Sequence, residues 1–249
     1  MHRSVSIRSA VGLVVALGMI GTMSAQQPAQ GGRGGGRGAA RPAPATLVMN
    51  VTFQPAVAGK TEQLPFVQGN IASPDIELKQ YGSGNQVLTN AGNPGQFIPF
   101  SFWTGETTGP FALTFRSKTN SLDLTGGAKI RWATKTSGFH SVQPVVKLLD
   151  GSMFIGDVMS QNVAAMMVSE FAVGTVRWMK LDPMRVVTMT SPGGTFNQIW
   201  TNPDLSKVDE FGVADLIPGS GHGTGGWVHV GSVEVYGKAV PRASNTASR

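Results

Sequence analysis

Short strand-like runs, separated by turn residues, make up most of the sequence from Thr46 onward. Examples are the segments from Ile76 to Tyr81, from Phe111 to Arg116 and from Val233 to Gly237. Runs of this length without intervening amphipathic helices are typical of antiparallel sheets rather than of a parallel α/β sheet. The sequence therefore predicts an all-β sandwich or barrel.

The most regular pattern lies in the segment 128–135. Alternate side chains of a strand point to opposite faces, so Trp132 is predicted to face the core while Arg131 and Lys135 share the other face. Ser137 and Gly138 can turn the chain into a second strand, 139–149, which would then be its hairpin neighbour. In that arrangement Gln143 and Lys147 extend the basic face into a polar strip two strands wide.

Two positions interrupt the strand pattern. Pro144 has no N–H group for a sheet, which predicts an edge position or a bulge. The segment 163–171 fits a helix or a strand, because its apolar run contains both methionines and β-branched valines.

The two ends of the chain differ in composition from the rest. Residues 1–25 combine a basic start, an apolar run and small residues, which predicts a secretory signal peptide. The apolar run is shorter than the roughly 20 residues that span a bilayer, so the chain is not predicted to cross a membrane. Residues 26–45 are predicted to be a disordered Gly/Arg/Pro tether, 46–240 a single β-sandwich domain, and 241–249 a disordered tail.

Charge and cysteine content bear on compartment and partners. The chain has a formal net charge of +6, but the arginines at its two ends account for that excess. A nearly neutral folded part does not indicate a strongly basic nucleic-acid-binding face. The tether could also be an RGG-type RNA-binding segment, but it has no interleaved aromatic residues, which favours a spacer. The absence of cysteine fits bacterial export, to the periplasm or the medium.

A family resemblance rests on the order of several motifs. Leu122-Asp123-Leu124-Thr125-Gly126 precedes a strand, a hairpin follows at Asp150-Gly151, a strand with Trp178 comes next, and Val-Glu-Val-Tyr-Gly closes the fold at Gly237. This order, from about Pro74 to Lys238, resembles galactose-binding-like jelly rolls, which include carbohydrate-binding modules and the complex I intermediate-associated domain. The resemblance implies a jelly-roll β-sandwich of two antiparallel sheets and, in many members, carbohydrate binding.

The same resemblance implies a structural calcium near the joined chain ends. Asp75, Glu77 and Glu234 would supply its oxygen ligands if the first and last strands pair. The few histidines have no paired spacing, so zinc is not predicted. No cofactor is required by any motif.

Sugar binding needs aromatic faces that stack on pyranose rings, together with polar groups for the hydroxyls. Trp200, in a turn-rich segment, is the best candidate for an exposed platform; a basic face on β-strands can equally be an ordinary solvated sheet surface. The aromatic candidates are Trp103, Phe139, Trp178, Trp200 and Trp227. The predicted ligand-binding residues are Arg131, Lys135, His140, Gln143, Lys147, Trp178, Trp200 and His222.

His222 lies in the glycine-rich segment 218–226. Asp215 could orient its imidazole for general base catalysis, but the segment also suits a tight connection between two strands. It has neither the Lys-Ser/Thr ending of a P-loop nor a Gly-x-Ser-x-Gly elbow. No catalytic residue is therefore assigned.

The sequence as a whole favours an exported, non-catalytic module that binds a polysaccharide or oligosaccharide. A structural or protein-interaction domain of the cell envelope is the alternative. A hydrolase acting on glycosides is a third possibility, because the two carboxylates it needs can come from distant strands. The oligomeric state is left open.

Overall fold

The computed structural model describes residues 44–59, 62–92, 97–161, 163–189, 200–219 and 225–242. These residues belong to one compact unit, Arg41–Arg249. The predicted signal peptide, nearly all of the predicted tether and residues 243–249 lie outside them.

Sixteen β-strands account for most of the regular structure. The helices among the described residues are four 3₁₀ turns, at Gln68–Asn70, Ser83–Gln86, Val173–Thr175 and Leu205–Lys207. The strands are β1 (Thr46–Thr52), β2 (Ile76–Gly82), β3 (Leu88–Ala91), β4 (Phe100–Trp103), β5 (Phe111–Ser117), β6 (Asn120–Asp123), β7 (Lys129–Gly138), β8 (Ser141–Leu148), β9 (Met153–Gly156), β10 (Ser160–Gln161), β11 (Met167–Ala172), β12 (Trp178–Asp182), β13 (Val187–Thr188), β14 (Trp200–Thr201), β15 (Val208–Asp215) and β16 (Gly226–Pro241).

The strands form two antiparallel sheets, which confirms the predicted all-β sandwich. Sheet I has the order β11-β7-β16-β4-β3, with β1 beside the later part of β16. Sheet II has the order β2-β5-β15-β8-β9-β12, with the short strands β13 and β14 on the outer edge of β12. Two residues of β10 pair with the start of β8.

The long strand β16 joins the two sheets. Its first part pairs with β7 in sheet I, and Lys238–Pro241 pairs with β6, which also contacts β15 of sheet II. Its valines are buried and alternate with half-buried residues up to a bulge at Gly231, after which the buried positions shift by one residue. A Cβ atom on Gly231 would lie 2.2 Å from Ile98 Cγ2, so this close approach requires glycine.

The main core lies between the two sheets and contains a cluster of phenylalanines. Phe102 on β4 and Phe111 on β5 have ring centroids 6.4 Å apart, and Phe53 lies 5.9 Å from Phe115. Trp132 is 1% exposed, as predicted, and its Nε1 donates to Ser169 Oγ at 2.8 Å. Burial of such rings supplies most of the stability of a domain without disulfides.

A second apolar cluster covers part of the outer face of sheet II. It contains Val145, Ile155, Met179 and Val186, all of them buried. Val186 belongs to the turn between β12 and β13 and has a left-handed φ of 53°. This face is therefore not the solvated surface that strand alternation alone would suggest.

Two expectations about local structure are resolved by these pairings. The segment 163–171 contains no helix, and its second half belongs to the edge strand β11. β8 has neighbours on both sides, but Pro144 is paired on one side only, with Val213 of β15. The proline is tolerated because the pairing with β10 ends at Val142 and the pairing with β9 begins at Val145. Gly156 then faces Pro144 closely, since a Cβ atom on it would lie 2.8 Å from the proline Cγ.

A helix long and apolar enough to span a bilayer is not found among the described residues.

The 3₁₀ turn Leu205–Lys207 provides a test of pH dependence. Asp204 caps it, accepting hydrogen bonds from Ser206 N at 3.2 Å and from Ser206 Oγ at 2.5 Å, and pairs with Lys207 at 2.9 Å. These contacts, the Ser206 hydroxyl first, lower the pKa of Asp204 from 3.8 to about 2.

We expect wild type to lose more stability than Asp204→Asn when the pH is lowered from about 5 to about 2. A lowered pKa in the folded state means that the unfolded chain binds the proton first as the pH falls. The contribution of Asp204 is thus complete above 3.8 and is lost as the pH falls towards about 2. Urea denaturation at several pH values measures how the free energy of unfolding of each protein changes with pH. The same change in wild type and in Asp204→Asn would contradict the prediction.

Candidate functional site

The predicted polar strip of Arg131, Lys135, Gln143 and Lys147 is not formed. β7 pairs with β16 and β11 in sheet I, whereas β8 pairs with β15 and β9 in sheet II. Gly138, with φ of 65°, turns the chain from one sheet to the other instead of closing a hairpin. The two halves of the proposed strip therefore lie in different sheets.

His140 is buried rather than available to a ligand. The residue is 0% exposed, and its Nδ1 lies 2.5 Å from Asp215 Oδ2. Asp215 also accepts a hydrogen bond from Ile217 N at 3.0 Å. Burial raises the pKa of Asp215, against the opposing effect of these hydrogen bonds. The partner of Asp215 is thus His140, and the His222 that the sequence placed beside it lies outside the described residues.

Gln143 and Lys147 are also occupied by internal partners. Gln143 donates its Nε2 to the Gly156 carbonyl at 3.0 Å. Lys147 Nζ donates to Tyr81 Oη at 2.9 Å and to Glu210 Oε1 at 3.0 Å. Burial opposes the charge of Lys147, but these two hydrogen bonds outweigh it and hold its pKa above the usual value. Both residues stabilise sheet II.

The two predicted tryptophan platforms differ in accessibility. Trp178 is 3% exposed and belongs to the main core, so the prediction that its ring stacks on a sugar is corrected. Trp200 is 38% exposed, as predicted for a platform, but the Arg177 guanidinium lies 4.2 Å from its ring centroid. Asp157 holds that guanidinium at 2.7 Å.

The predicted calcium ligands are not brought together. The first and last strands, β1 and β16, do pair, but Glu77 lies on β2, which pairs with β5 in the other sheet. Glu77 contacts Arg116 and Lys79, Glu234 contacts Arg131 and the Tyr236 hydroxyl, and Asp75 is exposed. No group of three metal-ligating side chains occurs among the described residues.

An open cavity of about 420 Å³ lies on the outer face of sheet I. The strand register places its polar residues, because His229 on β16 pairs with Lys135 on β7, and Ser101 on β4 pairs with Asn90 on β3. His229 Nδ1 lies 3.1 Å from Ser101 Oγ. The apolar part of the lining includes Phe97, Ile98 and Met166.

Trp227 lies beside this cavity and is half-buried. Lys135 Nζ lies 5.0 Å from the centroid of its ring, and the His229 ring meets it edge-on at 4.8 Å. A second cavity of about 380 Å³ is lined by Trp227 and shares Lys135 and Ala164 with the first. An aromatic ring, an ammonium group and an imidazole thus meet at two adjoining cavities.

The predicted residues contribute only in part to this site. Lys135 belongs to it, whereas Arg131 lies further along the same face of β7, 3.5 Å from Glu234. His229, Ser101 and Asn90 were not predicted. The sequence does contain one indication of this site: Trp227 and His229 are separated by Val228, so a strand places their two rings on the same face.

Comparisons with known proteins give structural likenesses only. No protein-family model matches the sequence, and no curated protein is similar to it. The family 11 carbohydrate-binding module of the cellulase Lic26A-Cel5E of Clostridium thermocellum is 12% identical, with 76% of this chain and 99% of that chain covered and a TM-score of 0.38. A family 11 carbohydrate-binding module from Clostridium thermocellum in complex with a β-1,3-1,4-mixed-linked tetrasaccharide is 11% identical, with coverages of 77% and 98% and a TM-score of 0.32.

An exo-β-agarase is also similar, at 14% identity and a TM-score of 0.36, over 74% of this chain and 26% of the enzyme. The matches include carbohydrate-binding modules, the class that the sequence resembles. Identities and TM-scores are low throughout, so these likenesses assign no function to this chain.

Proposed function

We propose that this protein is a carbohydrate-binding module that holds a polysaccharide or oligosaccharide on the outer face of sheet I. The observation that carries the proposal is Trp227, whose half-buried ring lies beside two cavities with Lys135 and His229 in contact with it. Export belongs to the proposal as well and is supported by the predicted signal peptide at residues 1–25.

The chemistry of the lining suits a sugar. An indole ring offers a flat apolar face to the C–H groups of a pyranose, and Asn90, Ser101 and His229 offer hydrogen-bonding groups for its hydroxyls. A volume of about 420 Å³ is in the range of ligand pockets, roughly 300–1,000 Å³. Because Trp227 and His229 lie on a central strand, their positions are fixed before a ligand binds.

Binding without hydrolysis fits this lining better than catalysis. Glycoside hydrolases need a pair of carboxyl groups on either side of the scissile bond. The described residues that line the two cavities include neither Asp nor Glu. This composition supports a non-catalytic module.

We expect Trp227→Ala to weaken polysaccharide binding about tenfold or more, because a central aromatic anchor contributes about 2 kcal/mol. Affinity electrophoresis against a panel of soluble polysaccharides measures the change. Trp200→Ala is the matched control, since Trp200 also has a cation over its ring but lies on β14 of sheet II. Its binding is expected to equal that of wild type.

Other outcomes separate the alternatives. Loss of binding in Trp200→Ala alone would place the site on sheet II. If wild type binds no polysaccharide, the proposal fails, and light scattering with co-purification tests the protein-interaction alternative. Release of reducing sugar from a bound polysaccharide would instead establish a hydrolase.

A further inference from the structure

We infer that the glycan held at this site is anionic, carrying carboxylate or sulfate groups, and that Lys135 selects it. This inference rests on the proposed function and names the class of ligand for the same site. It follows from how the charges on the outer face of sheet I are paired.

Three cations share the outer face of β7. Lys129 Nζ lies 3.0 Å from Glu170, and Arg131 lies 3.5 Å from Glu234. Lys135 forms no ion pair with any carboxylate of the described residues. One cation of the three is therefore left uncompensated, and it is the one at the cavities.

Strand register explains the difference. Arg131 pairs with Glu234 on β16 and with Glu170 on β11, so acidic side chains lie on both sides of it. Lys135 pairs with His229 on β16, and β11 begins only at Met167, opposite Thr134. The next position along β16 on that face is Trp227, whose ring lies under the ammonium group.

Other cations of the described residues are mostly compensated, which makes Lys135 unusual. Two more lack a carboxylate ion pair: Lys180, and Lys118, which donates to the Pro74 carbonyl at 2.6 Å. The cations with an ion pair are Lys79, Arg116, Lys129, Arg131, Lys147, Arg177, Arg185, Lys207, Lys238 and Arg242.

An ammonium group over an indole ring, without a carboxylate beside it, attracts an anion more strongly than a neutral hydroxyl. Charge-assisted hydrogen bonds to carboxylate or sulfate are about twice as strong as neutral ones. An acidic sugar would bring its own counter-charge to Lys135 while its ring lies on Trp227. A neutral glycan would supply no counter-charge to the Lys135 ammonium group, which would stay hydrated.

The test uses the full chain and two pairs of polymers, each pair with the same backbone but one charged and one neutral member. Polygalacturonic acid is compared with its methyl-esterified form, and dextran sulfate with dextran, by affinity electrophoresis at about 0.15 M salt. Wild type is expected to bind at least one charged polymer about tenfold more tightly than its neutral counterpart. The two pairs distinguish carboxylate from sulfate.

Two variants assign the preference to Lys135. Lys135→Gln is expected to lower binding of the charged polymer to the level of the neutral one, and Lys135→Arg to retain the preference. Arg131→Gln removes a cation from the same face of the same strand, but one already paired with Glu234, and is expected to retain the preference as well.

The results that overturn the inference differ from those that overturn the proposed function. Equal binding of charged and neutral polymers by wild type, unchanged in Lys135→Gln, rejects the anionic ligand but leaves a carbohydrate-binding module. Equal losses in Lys135→Gln and Arg131→Gln also reject it, because they show a general charge effect. Absence of binding to all four polymers and to the wider panel rejects the proposed function itself.

Discussion

Replacing Gly212 with alanine is expected to destabilise the domain by about 3 kcal/mol or more. Gly212 lies in β15, and a Cβ atom there would be 2.1 Å from the Leu113 carbonyl oxygen and 2.5 Å from Thr114 Cα. Both atoms belong to the backbone of β5, so no rotamer change can relieve the contact. Urea denaturation measures the loss.

Gly127→Ala is the matched control for this substitution. Its Cβ atom would have no neighbour within 4 Å, and its φ does not lie in the left-handed region. The control is expected to stay within about 0.5 kcal/mol of wild type, as surface substitutions usually do. Equal stability of the two variants would show that β5 and β15 do not pair in this register.

Strand content was predictable because it depends on local alternation. In β7 the predicted inward residues Ile130, Trp132 and Thr134 are all buried, while Arg131 and Lys135 face outward. An alternation of apolar and polar residues can be recognised in the sequence of one strand, without knowledge of the strands beside it. The closing strand was recognisable for the same reason, since Val233 and Val235 alternate with polar residues.

Pairing partners were not predictable in the same way. β7 and β8 are consecutive and separated by a short turn, so a hairpin was the natural expectation. The chain instead crosses at Gly138 to the other sheet, where Phe211 and Val213 of β15 pair with β8. Which strand lies beside β7 depends on β16, far along the sequence, and no local pattern encodes that choice.

The prediction that several site residues are accessible to a ligand was wrong for a related reason. His140, Gln143 and Lys147 were chosen as polar groups on a sheet surface, but sheet II has an apolar cluster on that face. Polar groups near it are bonded to partners elsewhere in the sequence, such as Asp215 and Glu210. Alternation identifies the face of a side chain; it does not show whether that face is covered.

Glu210→Ala is expected to destabilise the domain by about 3 kcal/mol, because it breaks a buried charge cluster. Glu210 is 2% exposed and accepts hydrogen bonds from Tyr81 Oη at 2.8 Å, Lys147 Nζ at 3.0 Å and Thr114 Oγ1. The alanine would leave all three donors without this acceptor. The Lys147 side chain is 24% exposed, so water reaches it in part and the loss falls at the lower end for a buried pair.

A double-mutant cycle tests whether the pair acts as a unit. Lys147→Met alone leaves a buried carboxylate without its cation, and Glu210→Leu alone leaves the Lys147 ammonium group without its carboxylate. The double variant, Glu210→Leu with Lys147→Met, removes both charges. The double variant is expected to be more stable than the sum of the two single losses predicts. Additive losses in urea denaturation would contradict the coupling.

A variant of the same cluster tests whether these residues affect only stability or also glycan binding. Glu210 lies in sheet II and its partners are internal, so a folded Glu210→Gln variant is expected to bind glycan as wild type does, at lower stability. Loss of glycan binding in that folded variant, with Trp227→Ala unaffected, would transfer the site to sheet II. Stability and affinity measured on the same two variants therefore distinguish a structural cluster from a binding one.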